Sequence, residues 1–160
     1  MNSELRELLL SVDDPNEWEF PNGFNYYEAI GKVKNIKTLV ESVLEHTLEI
    51  DECVQDASYF TELYILEENQ RKSRNAGKGH IHYVDFAIRF SAFGSLVSIY
   101  SSHFNTDFLQ KYPVDRILNI LKDNGYVFVE ASLLQEPYDG LHSKLHNSGV
   151  SWWNRYFDYL

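Results

Sequence analysis

The sequence predicts an α+β domain, an antiparallel β-meander of three to four strands packed against N-terminal and C-terminal helices. Three observations predict it. Residues 81–90 read Ile-His-Tyr-Val-Asp-Phe-Ala-Ile-Arg-Phe, with His82, Val84, Phe86, Ile88 and Phe90 alternating with Tyr83, Asp85, Ala87 and Arg89. That period of two puts successive side chains on opposite faces and describes a strand with one buried face and one wet one. Residues 58–68 and 96–101, on either side, are rich in aromatic and β-branched side chains, as strands are. Ahead of them Ile36, Leu39, Val40, Val43, Leu44 and Leu48 recur at the spacing of an amphipathic helix.

In chain order, Ser3 can cap a first helix that runs to about residue 11, with Leu5, Leu8, Leu9 and Val12 on one stripe. Asp13-Asp14-Pro15-Asn16 breaks it, and Pro21-Asn22-Gly23 marks a further turn. Between the two, Glu17-Trp18-Glu19-Phe20 alternates acids with aromatics, as a half-buried segment with outward carboxylates would. A second helix is expected over residues 26–49, with Gly31 as its candidate break and Glu41, Glu45 and Glu49 along one outer ridge. Like charges four apart weaken a helix by a few tenths of a kcal/mol per pair, a cost that a solvated face tolerates. After an acidic link the meander follows, with the polar run 69–79 as its first loop and Ala92-Phe93-Gly94 as its tighter second connection. Pro113 opens a helix with Val114, Ile117, Leu118 and Leu121 as its stripe, and Asn124-Gly125 closes it. Residues 126–129 are a fourth strand candidate and Pro137-Tyr138-Asp139-Gly140 a turn. Ser151 can cap a last helix whose Trp152, Trp153, Tyr156, Phe157 and Leu160 form one broad apolar face, expected to dock on the body.

At 160 residues, with 44% hydrophobic and 15% aromatic side chains, the chain is expected to form one domain with a packed core over residues 1–160. The single cysteine, Cys53, cannot form an internal disulfide and suits a reducing compartment. No basic segment leads into an apolar run at the start, and no window of about 18 apolar residues occurs, so a cytoplasmic chain without a membrane span is expected. The net charge of −10 is unevenly placed. Residues 1–68 hold 16 acidic and 4 basic side chains, a net −12, and residues 69–160 hold 8 and 10, a net +2. Such an acidic half repels nucleic acid and anionic membrane and attracts a basic partner, although acidity also serves solubility alone.

Catalytic signatures are missing. There is no GxSxG elbow, no GxxxxGK[ST] phosphate loop and no GxGxxG, and Cys53 has no catalytic neighbourhood. His80 and His82 lie two apart on the strand pattern and His103 lies beyond the third strand, so a small metal-dependent hydrolase built on these three is the alternative function. His142 and His146 are four apart, but Ser143 stands where a zinc-protease helix needs glutamate, and the nearby glycines favour a loop. The basic run Arg71, Lys72, Arg74 and Lys78 could touch phosphate, yet it contains no aromatic for base stacking and sits in an acidic chain. These features argue against an enzyme, against nucleic acid and for no cofactor.

The run Glu136-Pro137-Tyr138-Asp139-Gly140, followed by Ser-Trp-Trp-Asn-Arg-Tyr-Phe-Asp-Tyr-Leu over 151–160, resembles the ends of small bacterial cytosolic proteins, some of which are encoded beside secreted or contact-delivered toxins. In overall character, small, acidic, α+β and without catalytic motifs, the chain resembles immunity proteins of polymorphic-toxin and contact-dependent inhibition systems. The resemblance implies binding and neutralisation of a cognate toxin, with a nuclease, whose substrate groove is cationic, as one candidate. The candidate partner-binding residues are the acids Asp13, Asp14, Glu17, Glu19, Glu45, Glu49, Asp51 and Glu52, with Trp18 and Tyr59 as aromatic anchors. Core packing is the competing role for both aromatics.

Overall fold

The computed structural model describes residues 1–52, 60–67, 83–102 and 108–158. The alternation around residue 86 becomes strand β3 (Val84–Ser91), flanked by β2 (Phe60–Leu66) and β4 (Leu96–Tyr100), all antiparallel. Two short strands complete a five-stranded sheet in the order β1-β2-β3-β4-β5. β1 (Glu49–Asp51) pairs antiparallel with β2, and β5 (Val127–Phe128), the fourth strand candidate, pairs parallel with β4. The sheet is therefore mixed, a meander with a parallel edge.

Helices α1 (Ser3–Val12), α2 (Tyr26–Leu44), α3 (Phe108–Lys111), α4 (Val114–Asp123) and α5 (Trp152–Phe157) surround it. Phe86, Ile88 and Phe90 of β3, with Leu63, Ile65, Val97 and Ile99, pack against Val33, Ile36, Val40 and Leu44 of α2 and Ile117 and Leu121 of α4. Leu39, counted above in the apolar stripe of α2, is exposed. At the start of α1 the cap is Asn2, whose Oδ1 accepts the Leu5 N–H at 2.9 Å, and not Ser3, which is the first helical residue.

The second face of the sheet is not wet. Ala87, Leu96 and Tyr100 pack with Leu9 of α1 and with Trp152, Trp153, Tyr156 and Phe157 of α5. A register shift between Ile65 and Leu66 adds Leu66 and Val84 to this side, because one extra residue reverses which face a side chain takes. Arg89, read as a solvent-facing charge, is enclosed here between Glu62 and the aromatic rings of Phe60 and Tyr100. The C-terminal aromatic face thus docks as expected, and the surface it covers is the one that the alternation assigned to water.

The ridge Glu41, Glu45, Glu49 does not form. α2 ends at Leu44, Glu45 takes a left-handed conformation with φ 55°, and Glu49 belongs to β1. Glu41 organises the reversal, since its Oε1 accepts the Leu48 N–H at 2.8 Å and the Lys37 ammonium at 2.5 Å. Partial burial raises the proton affinity of this carboxyl, but Lys37 and the Leu48 amide outweigh it and hold Glu41 below the usual carboxylate range. Glu41→Ala is expected to cost about 1–2 kcal/mol in a urea melt. Because the folded state lowers the proton affinity, this contribution is complete above the ordinary glutamate range and is lost as pH falls through the lowered one. A wild-type and a Glu41→Ala melt that keep the same separation down to strongly acidic pH would contradict this.

Candidate functional site

The site grows from the C-terminal helix. Ser151 caps α5 reciprocally: its Oγ accepts the Asn154 N–H at 3.2 Å, and Asn154 Oδ1 accepts the Ser151 N–H at 3.0 Å. That start aims Arg155 at the segment following α1. The guanidinium donates to Asp13 Oδ1 (3.0 Å) and to the backbone oxygens of Trp18 (2.8 Å), Asp14 (2.9 Å) and Glu17 (3.0 Å). It lies 4.4 Å from the centre of the Phe93 ring, and the side chains of Arg155 and Asp13 are both 0% exposed. A planar fork with five N–H groups is the one side chain able to serve a carboxylate and three carbonyls together.

Asp13 is fully engaged. Its Oδ2 accepts the Tyr138 hydroxyl at 2.5 Å and the Leu141 N–H at 2.8 Å. At Gly140 a Cβ would lie 2.4 Å from that same oxygen, so glycine is what lets the two segments approach. Hydrogen bonding to Asp13 and, above all, burial push the Tyr138 hydroxyl well above its ordinary value. Asp14 Oδ1 accepts the N–H of Asn16 (2.9 Å) and Glu17 (3.1 Å), a turn that holds the Asp14 carboxyl below the usual range.

With its backbone tied down, the loop shows its side chains to solvent. Glu17 and Glu19 are exposed, and Trp18 and Phe20 remain 41% and 38% exposed. Trp18 meets the His142 ring edge-on at 4.5 Å, Phe20 lies 5.8 Å from Phe24, and the neighbouring Leu141 is 48% exposed. An irregular segment thus presents two acids and two aromatics on one rigid base.

The predicted binding residues divide accordingly. Glu17, Trp18 and Glu19 come together at the surface, Asp14 caps their turn, and Asp13 is buried beneath them as a structural ion. Asp13 therefore departs from the expected surface role, since its charge is spent inside on Arg155. Glu52 pairs with Lys34 at 2.7 Å, and the Tyr26 hydroxyl donates to its carbonyl, so the end of β1 lies against the N-terminal half of α2. Asp51 is exposed, and Glu49, half-buried, faces the Tyr64 hydroxyl at 3.5 Å. Glu45 stands at the other end of α2, whose 19 residues span about 28 Å. Of these acids Asp13 is enclosed and Glu49 half-buried, so they are not equally open to a partner. Tyr59, Cys53, the histidines His80, His82 and His103, and the basic run Arg71, Lys72, Arg74 and Lys78 lie outside the described residues.

A second polar cluster lies on the same face of the sheet. Glu62 Oε2 accepts from Arg89 Nε and from the Tyr100 hydroxyl, each at 2.5 Å, and Arg89 Nη1 donates to the Phe157 carbonyl at 2.6 Å. Burial first, then the Glu62 charge, pushes the Tyr100 hydroxyl far above its ordinary value; Glu62 outweighs burial in keeping Arg89 cationic. This cluster ties the end of α5 to the sheet. His142 and His146 sit on a short 3-10 turn in separate environments, with His146 Nε2 at 2.8 Å from the Gly140 oxygen. Among the described residues no group of three histidines, cysteines or acids could hold a metal ion, and no helix is long and apolar enough to cross a membrane.

Arg155, Phe20 and Leu141 were not candidates at the level of sequence, and His142 was weighed there only as a metal ligand. The Glu-Trp-Glu-Phe alternation did signal part of this surface, but nothing local linked it to an arginine 137 residues further along from Trp18. No protein-family model, no curated protein and no solved structure matches the chain.

Proposed function

We propose that this chain is a non-catalytic binding protein that neutralises a cognate protein toxin, and that the acidic-aromatic loop at residues 17–20, with Leu141 beside it, is its recognition surface. One observation carries the proposal: a completely buried arginine spends its guanidinium on the backbone of this one loop. Ordering a loop in advance removes entropy loss from the binding step, so its side chains can contribute more of their contact energy to affinity. Tryptophan at the centre of a patch is a favoured anchor, and flanking carboxylates speed encounter with a basic face and select for it. A nuclease toxin, with its cationic groove, is a partner of the required charge.

The test is co-purification with the product of the adjacent upstream gene, followed by binding kinetics at low and high salt. Trp18→Ala is expected to weaken binding about 10- to 100-fold, chiefly through faster dissociation. Glu17→Lys with Glu19→Lys is expected to slow association about 10-fold at low salt and little at high salt. Glu45→Lys, at the far end of α2, is the comparison and should change neither rate by as much. A partner of low isoelectric point, or one indifferent to all three loop substitutions, would remove the proposal.

A further inference from the structure

The two edges of the sheet are finished differently. β1 carries acids, Glu49 and Asp51, at two of its three positions, and charge on an outer strand is a common guard against pairing with another chain. β5, at the opposite edge, is Val127–Phe128 and has no charge. The N–H groups of Val127 and Val129 donate inward, to the Ser95 oxygen at 3.0 Å and the Val97 oxygen at 2.8 Å. Backbone groups alternate in direction along a strand, so the N–H and C=O of Phe128 face outward, and neither finds a partner among the described residues.

Apolar side chains collect at this edge. Val127 and Phe128 are exposed on opposite faces of the sheet, and Leu133 is exposed on the 3-10 turn that follows. Phe128 also forms one wall of a groove of about 740 Å³, with Leu109, Tyr112 and Leu118 among the others. Charge does not oppose a second copy here. Residues 108–134 hold Lys111, Arg116 and Lys122 against Asp115, Asp123 and Glu130, a net charge of zero in a chain of −10. Arg116, Asp115 and Glu130 line the groove and form no ion pair among the described residues, so the patch shows both signs. Such a patch complements itself, because across a twofold axis the cation of one copy can meet an anion of the other. A basic partner of the kind that the acidic loop attracts meets no net charge at this edge.

We propose that β5 is a dimer seam: the β5 strands of two copies pair antiparallel about a twofold axis through Phe128 and join two five-stranded sheets into one. Directly opposed residues of an antiparallel pair can exchange both N–H···O=C bonds, so a residue on the axis satisfies its own counterpart. Burial of the exposed apolar side chains around Phe128 adds to those two bonds. The seam is short, and a weak dimer whose population depends on concentration is expected.

Sedimentation velocity of the full chain, from about 5 µM to about 500 µM, is the test. The dimer is expected to grow with concentration, and more so in high salt, because salt screens the repulsion between two chains of net charge −10. That salt trend is opposite to the one expected for toxin binding, so the two proposals fail separately. Phe128→Glu is expected to weaken self-association about 30-fold or more, since it sets like charges opposite each other at the axis. Leu39→Glu adds the same charge at an exposed position of α2 and should change self-association far less. In wild-type protein, hydrogen exchange at the Phe128 amide should slow as the dimer fraction rises. This measurement needs no variant and decides the matter even if Phe128→Glu does not fold. A chain that stays monomeric throughout overturns the seam, and uptake of the neutral dye Nile red by that monomer would give the groove to a small apolar ligand instead. A dimer that Leu39→Glu weakens as much as Phe128→Glu, or whose formation leaves Phe128 exchange unchanged, overturns it too.

Discussion

Replacing Arg155 by methionine is expected to lower the stability of the fold by about 3–5 kcal/mol, because it leaves the Asp13 carboxylate buried without its countercharge. Three backbone oxygens, of Asp14, Glu17 and Trp18, lose their donor in the same step. Arg155→Lys should recover only part of the loss, since one ammonium cannot span a carboxylate and three carbonyls. Asp13→Asn should be milder than Asp13→Ala, because an amide oxygen can still accept from Tyr138 and Leu141. Urea unfolding measures all four variants. Hydrogen exchange of the 13–20 peptide adds a readout that general destabilisation does not produce, namely local loss of protection while the sheet stays protected. An Arg155→Met protein with wild-type stability and an equally protected loop would remove the structural basis of the proposed surface.

The second large effect is expected at Glu62 and Arg89. Arg89→Met strands a carboxylate whose side chain is only 9% exposed, leaving it the Tyr100 hydroxyl among the described residues, and should cost about 3 kcal/mol or more. It also removes the donor to the Phe157 carbonyl, so the end of α5 should loosen first, with a change in the near-ultraviolet dichroism of Trp153, which stacks on Phe157 and meets Tyr100 at 5.4 Å. Combining Arg89→Met with Glu62→Leu should regain much of the loss, since a buried pair replaced as a unit leaves no orphaned charge. If the double variant is less stable than the sum of the single ones, the pair contributes in some other way.

These two ionic clusters mark where reading the sequence stops. The alternation around Phe86 placed β3 correctly because a period of two is a local property of the chain, and Ser151 was legible as a cap because its partner Asn154 is three residues away. Glu49 was assigned to a helix it does not join. The break at Glu45 depends on Glu41 reaching forward to the Leu48 amide, and no residue at the break carries the glycine that usually announces a left-handed helix end. Arg89 was placed in water because its alternation is polar, and Asp13 because it stands in an acidic run. Each is buried through a partner that is near in space and distant along the chain.

What the sequence by itself determined is the longer elements, though not β1 or α3, together with their α+β class and the gathering of negative charge ahead of residue 69, all of which follow from periodicity, capping and composition. Which acids face a partner and which serve the interior was decided only when α5 docked on the sheet. Docking brought Arg155 to within 3.0 Å of Asp13 across 142 residues of chain. The physical reason is that a charge buried with its counter-ion and one left in water can occupy identical local sequence, and only the fold supplies or withholds the counter-ion.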